Sequence, residues 1–445
     1  MGKLTIKEKI GFSIGEYAGS VVWQTLMFFL PIFYTDTFGL SAAAVSTMFL
    51  VVRLFDAIND PIMGVIADRT ETKWGKFRPY LLWMAVPYGL GTVLMFITPN
   101  FSDLGKLIWA YGTYGLMMMI YTAMMIPYNS MIGVITPDPD ERTSVSSYKF
   151  VFAYAAGISV QALVIPMVRQ LGAGSAQRGY MMTMGIFGAI CVLCFVIAFL
   201  SSKERVRPAA DQKTRIRDDL KDLMHNKPWI ILFIVCISTL MYIAIRSAVI
   251  MYYFKYYVGN ANAASWFMVS GTIFVLLGVL PTKWLQKKMG KKKLYIWSMI
   301  IIAITSFLFM IVQPDDMILL FGLNIIFSLA SGPTMPLLWS MLADAADYSD
   351  WKNGRRATGL VYSASTFSQK AGFSLGGAVS MAILSLFGYV ADAQQTTSAL
   401  LGIRLSLSII PAIIAIISVI ALFFYTLDEE TLTKIKIELA ERNSD

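Results

Sequence analysis

Asp56 and Asp60 stand four residues apart in LVVRLFDAINDPIMG, an otherwise apolar run that also holds Asn59. On a helix that spacing is about one turn, so both carboxylates project from one face. The run is long enough to cross a bilayer, where an ionised carboxylate costs at least a few kcal/mol unless something compensates it. Two on one face also repel each other, and a captured cation relieves that repulsion. The chemistry implied is a monovalent-cation site, built from oxygen ligands, inside a membrane-spanning helix. Arg53, three residues before Asp56, offers the alternative of a purely structural ion pair.

The elements that must position these residues follow from composition. Of 445 residues, 56% are hydrophobic and only 15% charged, with a mean hydropathy of +0.61. A soluble protein carries about 25% charged residues, so this chain has too little polar surface to cover a water-soluble globule. The fold class expected is an all-α, polytopic membrane protein. The net charge of +9 suggests nucleic acid only until its placement is considered. The positive residues lie in short loops between apolar runs, where they act as topology signals.

Twelve apolar segments emerge, at 11–35, 41–66, 79–98, 106–132, 147–170, 179–200, 229–254, 263–284, 293–312, 316–342, 360–388 and 401–426. Each is close to the roughly 20 residues that a span needs. The polar stretch 201–228 divides them six and six. The domain organisation expected is therefore a six-helix bundle over 1–200, a cytoplasmic linker over 201–228, and a second bundle with a cytoplasmic tail over 229–445. Within the linker, DLKDLMHN has the pattern of a short amphipathic surface helix. Alternate loops are basic: ADRTETKWGKFRP, the linker, KWLQKKMGKKK and DYSDWKNGRRATG. Basic loops face the cytoplasm, which places both termini inside. The charged start MGKLTIKEKIG has no cleavage-type ending and reads as a cytoplasmic N-terminus, not a signal peptide.

Other chemistries are excluded by what the sequence lacks. Cys191, Cys194 and Cys236 fall inside apolar runs with no disulfide or metal spacing. His225 is the single histidine and has no partnering motif, and no Walker-type glycine loop is present. A membrane-embedded enzyme and an ATP-driven pump are both disfavoured, and no cofactor is expected beyond a coupling ion. A weak internal repeat links IPYNSMIGVITPDPDERTS with MPLLWSMLADAADYSDWKNGRRATG. It fits two related halves with a cavity between them near mid-membrane.

With these motifs in view, the chain resembles the glycoside–pentoside–hexuronide cation symporters, the melibiose-permease-like branch of the major facilitator superfamily. The resemblance is carried by YTDTFGLS (34–41), RLFDAINDPIMG (53–64), ADRTETKWGKFRPY (67–80), IPYNSM (126–131), ADAADY (343–348) and STFSQKAG (365–372). It covers nearly the full chain. It implies twelve helices in two pseudo-symmetric bundles and symport of a sugar with Na⁺, Li⁺ or H⁺. It also implies the bacterial inner membrane, and function as a monomer is expected. The resemblance maps the cation onto Asp56, Asn59, Asp60 and Thr122. A retained asparagine leans toward Na⁺, whereas a carboxylate alone can carry a proton.

The implied sugar site departs from the melibiose pattern. Ser20 stands where the family has an acidic residue in the first helix, Met125 where it has one in the fourth, and Asn129 where it has tryptophan. A galactoside is thereby put in doubt. The replacement candidates are Glu16, one turn before Ser20, with Tyr121, Lys149, Arg246, Trp339 and Lys370. Arg246 is too central in its span to snorkel, so it contacts substrate or pairs structurally with Glu16 or an aspartate. Lys149 faces the cavity or marks the interface, and Trp339 and Tyr121 are sugar platforms or packing. Three cations in one cavity favour an anionic sugar, a uronide or sulfonated sugar held through arginine. A neutral glycoside or pentoside is the other reading, and a sugar sensor that moves nothing is a third. Asp68, Arg69, Arg142, Asp344, Asp347 and Arg356 are the gate candidates, with plain topology signals as the alternative.

Overall fold

A computed structural model describes residues 4–205, 226–353, 358–427 and 429–442. Helices occupy each of the expected windows. They are α1 (Ile6–Phe28, continued by Leu30–Ile32), α2 (Ala42–Arg69), α3 (Arg78–Trp83 and Ala85–Leu94), α4 (Asp103–Ile135), α5 (Pro139–Gly172) and α6 (Ala176–Ser201). After the linker come α7 (Lys227–Tyr252), α8 (Ala261–Val279), α9 (Lys291–Leu308), α10 (Met317–Ser331 and Thr334–Asn353), α11 (Thr358–Leu386) and α12 (Thr397–Leu407 and Ile409–Phe423). A tail helix, α13, spans Glu429–Arg442. Among the described residues, eight helices are long and apolar enough to span a membrane, or nine if bent α1 is one span. The break at Met84 divides α3 into two short pieces, whereas α12 counts as one span across Ser408.

The helix starts are written in the sequence. Thr5 and Glu8 form a capping box on α1, Thr5 Oγ1 accepting from Glu8 N while the Glu8 carboxylate accepts from Thr5 N. Ser41, Ser102, Ser175, Asn226 and Thr396 cap α2, α4, α6, α7 and the first part of α12 through their side chains. Each satisfies an amide that the first helical turn leaves without an intrahelical partner. Leu54, Phe55, Ile58 and Ile62 make an exposed apolar face on α2, as expected of a lipid-facing surface.

The chain divides into two compact units. One comprises Met1–Ala210 with Asn260–Val269 and Val390–Gln394; the other comprises Asp211–Gly259, Ser270–Tyr389 and Gln395–Asp445. In the first, α1 packs on α5 and α6, and α3 on α6. Gly89 and Gly188 bring α3 and α6 together: a Cβ on either would lie under 3 Å from the other's carbonyl oxygen. In the second, α7 packs on α11 and α12, and α9 on α12. The same local ending recurs in each unit. Helix α1 closes through a wide-pitch turn at Phe33–Thr37 followed by Gly39 at φ +83°, and α7 through Tyr253–Tyr257 followed by Gly259 at φ +74°. That repeat is structural and escaped the sequence comparison, because FYTDTFG and YFKYYVG share little beyond aromatics and the glycine. Residues 206–225 of the linker, DLKDLMHN included except for Asn226, lie outside the described residues.

Candidate functional site

Asp56 is buried on α2, 2% exposed, and Asp60 one turn later is half-buried, with Asn59 half-buried beside it. Thr122 on α4 meets both. Its Oγ1 lies 2.8 Å from Asp56 Oδ1 and 3.0 Å from Asp60 Oδ1. A hydroxyl has one proton to donate, so it satisfies one carboxylate oxygen at a time. Two negative oxygens and a hydroxyl oxygen thus converge on one point, where a positive ion lowers the repulsion between the aspartates. Arg53 is buried as well. Its Nε donates to Tyr114 Oη at 2.9 Å, its guanidinium lies 4.6 Å over the Trp23 ring, and Nη1 has no hydrogen-bond partner among the described residues.

A second polar group forms in the same unit. Lys149 on α5 lies 3.1 Å from Glu16 Oε2 of α1, donates to Asn129 Oδ1 of α4 at 2.7 Å, and sits 4.5 Å over the Tyr128 ring. Tyr128 is held in turn by its hydroxyl donating to Phe12 O at 3.0 Å and by stacking on Phe12. The lysine is therefore held among side chains of α1 and α4 and is 8% exposed. Glu16, Asn129 and Lys149 line a cavity of about 260 Å³, with Ser146 and Phe150 in its wall. Glu16 Oε2 is buried and, ion pair aside, makes no hydrogen bond among the described residues. An acceptor in that state suits a sugar hydroxyl.

The remaining N-terminal candidates divide. Tyr121 stacks loosely between Trp23 and Tyr88, with ring centroids at 5.8 Å and 6.2 Å. Ser20 is half-buried, and Met125 is buried with its thioether against Gly19. Trp23 was missed in the sequence. Glu16, Ser20 and Trp23 follow at i, i+4 and i+7, one face of α1, and that spacing was the available signal.

In the second unit Arg246 is 5% exposed. Among the described residues of this unit, no aspartate pairs with it. Nη1 donates to Leu407 O at 3.2 Å, and the guanidinium lies 3.8 Å over Phe327 and 4.8 Å over Phe309. The reason lies in α12. Leu407 O would ordinarily bond the amide of residue 411, which is Pro411 and has none. Arg246 replaces the missing donor. Lys370 is half-buried on α11, and Trp339 on α10 is 37% exposed.

The gate candidates fall in different surroundings. Asp68 and Arg69 are exposed and make no ion pair among the described residues. Arg142 closes the end of α4, donating to Thr136 O and Gly133 O at 2.9 Å each. Asp344 is buried and pairs with Lys291 at the start of α9. Asp347 is half-buried, and Arg356 lies outside the described residues. A further fastening is one the sequence reading did not single out. Glu204, just past α6, accepts from the amides of Lys76, Phe77 and Arg78 at 2.7–2.9 Å. Gly75 beside it has φ +110°, and a Cβ there would strike the Glu204 carboxylate. Arg205 pairs with Glu8, and Lys9 with Glu141 at 3.0 Å.

Comparison with known proteins places this geometry. The family model described as MFS/sugar transport protein matches residues 11–429. The chain is 35% identical over 445 residues to the putative glycoside/cation symporter YagG of Escherichia coli (strain K12), covering 100% of this chain and 97% of that one. It is 35% identical over 437 residues to the isoprimeverose transporter of Lactiplantibacillus pentosus, covering 95% and 89%. Among solved structures, a bacterial homologue of the human lysosomal transporter Spinster, inward-facing and unoccupied, superposes with a TM-score of 0.70. Its identity is 15%, over 98% of this chain and 99% of that one, a likeness of fold alone.

Proposed function

The chain belongs to the MFS/sugar transport protein family, multi-pass membrane transporters and not enzymes, and on that footing we propose that it is a cation-coupled sugar symporter. The observation that carries the reading is the Thr122 hydroxyl set between the Asp56 and Asp60 carboxylates. A monovalent ion, Na⁺ or H⁺, is the driving substrate. Asp56, Asp60 and Thr122 supply its oxygens, with Asn59 beside them.

The sugar binds at the Glu16, Asn129 and Lys149 cavity, with Ser20 and Tyr121 nearby on the same two helices as Glu16 and Asn129. Met125 shapes the packing behind it. Coupling requires that each ligand raise the affinity for the other by the same factor. The rings of Trp23, Tyr121 and Tyr88 pack in series, with Arg53 over Trp23, and offer a packed connection. Alternating access then exposes the loaded sites to the other side of the membrane, and the basic loops set both termini in the cytoplasm of a bacterial inner membrane. The working unit is the monomer. No cofactor takes part.

The direct test is uptake of a labelled glycoside into proteoliposomes under imposed Na⁺ or proton gradients. Stimulation by one gradient, and its loss in Asp60→Asn with folding intact, is the expected result. Equal uptake with and without every gradient contradicts symport, and sugar binding with no counterflow points to a sensor.

A further inference from the structure

Resting on that reading of the site, we infer that this chain selects neutral glycosides against their uronates, because the cationic group in the sugar cavity is already neutralised by Glu16. An anionic sugar needs an uncompensated positive charge to repay its desolvation. Four basic side chains were available for that role; three are engaged, and Arg53, whose Nη1 has no hydrogen-bond partner among the described residues, is not in the lining of this cavity. Lys149 is the one that lines the cavity, and it lies 3.1 Å from the Glu16 carboxylate with Asn129 Oδ1 accepting at 2.7 Å. Arg53 shares α2 with two aspartates and gives Nε to Tyr114. Arg246 is enclosed by Phe309 and Phe327 and tied to Leu407 O. Lys370 has a partner of its own.

The cavity therefore presents a balanced pair, a lysine donor next to a carboxylate oxygen. Glu16 Oε2, buried and making no hydrogen bond among the described residues, still has capacity to accept. A vicinal diol matches this arrangement: one hydroxyl accepts from Lys149 while its neighbour donates to Glu16. A uronate carboxylate in the same place meets Glu16 as a like charge, and like charges juxtaposed across an interface are strongly rejected.

The test compares sugars that differ only in that charge. Purified full-length protein in nanodiscs with NaCl is titrated with methyl β-glucoside and with methyl β-glucuronide. Wild type is expected to bind the glucoside at least about tenfold tighter, the scale of rejection that one unfavourable charge contact produces. Glu16→Gln frees the Lys149 charge, and the glucoside-to-glucuronide preference is expected to fall by at least about tenfold, chiefly through tighter glucuronide binding. Equal or tighter glucuronide binding by wild type overturns the inference. So does a folded Glu16→Gln protein whose preference is unchanged; if that variant does not fold, the wild-type ratio decides. Gradient-driven accumulation of the glucuronide in preference to the glucoside sinks this inference and leaves symport standing. A glucoside preference without any gradient dependence does the reverse.

Discussion

Each unit buries charge in its helices, but the two do so in opposite ways. In the first, Asp56 and Asp60 converge on a single hydroxyl whose one proton cannot serve both. Glu16 keeps a buried oxygen with no hydrogen bond among the described residues. In the second, Arg246 is buried too, 5% exposed against 2% for Asp56, and it is held by a carbonyl freed by Pro411 and two aromatic faces. Burial of charge within the membrane is a default sign of function. On the proposed reading, the oxygens converging at Thr122 are a place for a ligand and the carbonyl-tied arginine is a piece of architecture.

The comparison is broken most directly at Asp60. Asp60→Asn should cut cation-stimulated uptake by roughly a hundredfold, at or above the loss typical when a group supporting a bound ion is removed. Its thermal unfolding should stay near wild type. The converse holds at Arg246. Arg246→Met should lower stability by about 2–3 kcal/mol, since Leu407 O is left without a donor and the aromatic contacts lose their cation. Cation stimulation per folded molecule should survive, as read by uptake normalised to protein that passes size exclusion. If folded Arg246→Met protein loses sugar binding altogether, Arg246 is a ligand contact and the contrast fails.

Smaller effects sharpen the first side. Thr122→Ala should weaken the apparent cation affinity by about tenfold while sparing maximal uptake, and Thr122→Ser should restore it. Glu204→Gln removes the charge, keeps one acceptor oxygen for the Phe77 and Arg78 amides and sets a donor against the Lys76 amide. It should cost about 1 kcal/mol in unfolding, measured by denaturant titration, with little change in cation affinity.

Much of this was legible in the residues. The twelve apolar windows, the capping residues before them and the Asp56–Asp60 spacing follow from period and polarity, which are local. Lys149 and Glu16 were visible as candidates, but not as partners: they come from helices more than a hundred residues apart in sequence. The same distance hid Glu204, whose amide partners lie 126–128 residues away. Arg246 illustrates the limit best. Its centrality marked it as important, while the cause, a proline in another helix that leaves Leu407 O bare, depends on packing that no local pattern encodes.

The central claim is that a small ion held between Asp56 and Asp60 drives the sugar, and equilibrium binding to purified protein tests it most directly. Labelled Na⁺ binding, with proton uptake followed in the same titration, should be tightened by a neutral methyl glycoside and abolished in Asp60→Asn. Ion binding that persists undiminished in the variant, or that ignores the sugar, would contradict the account.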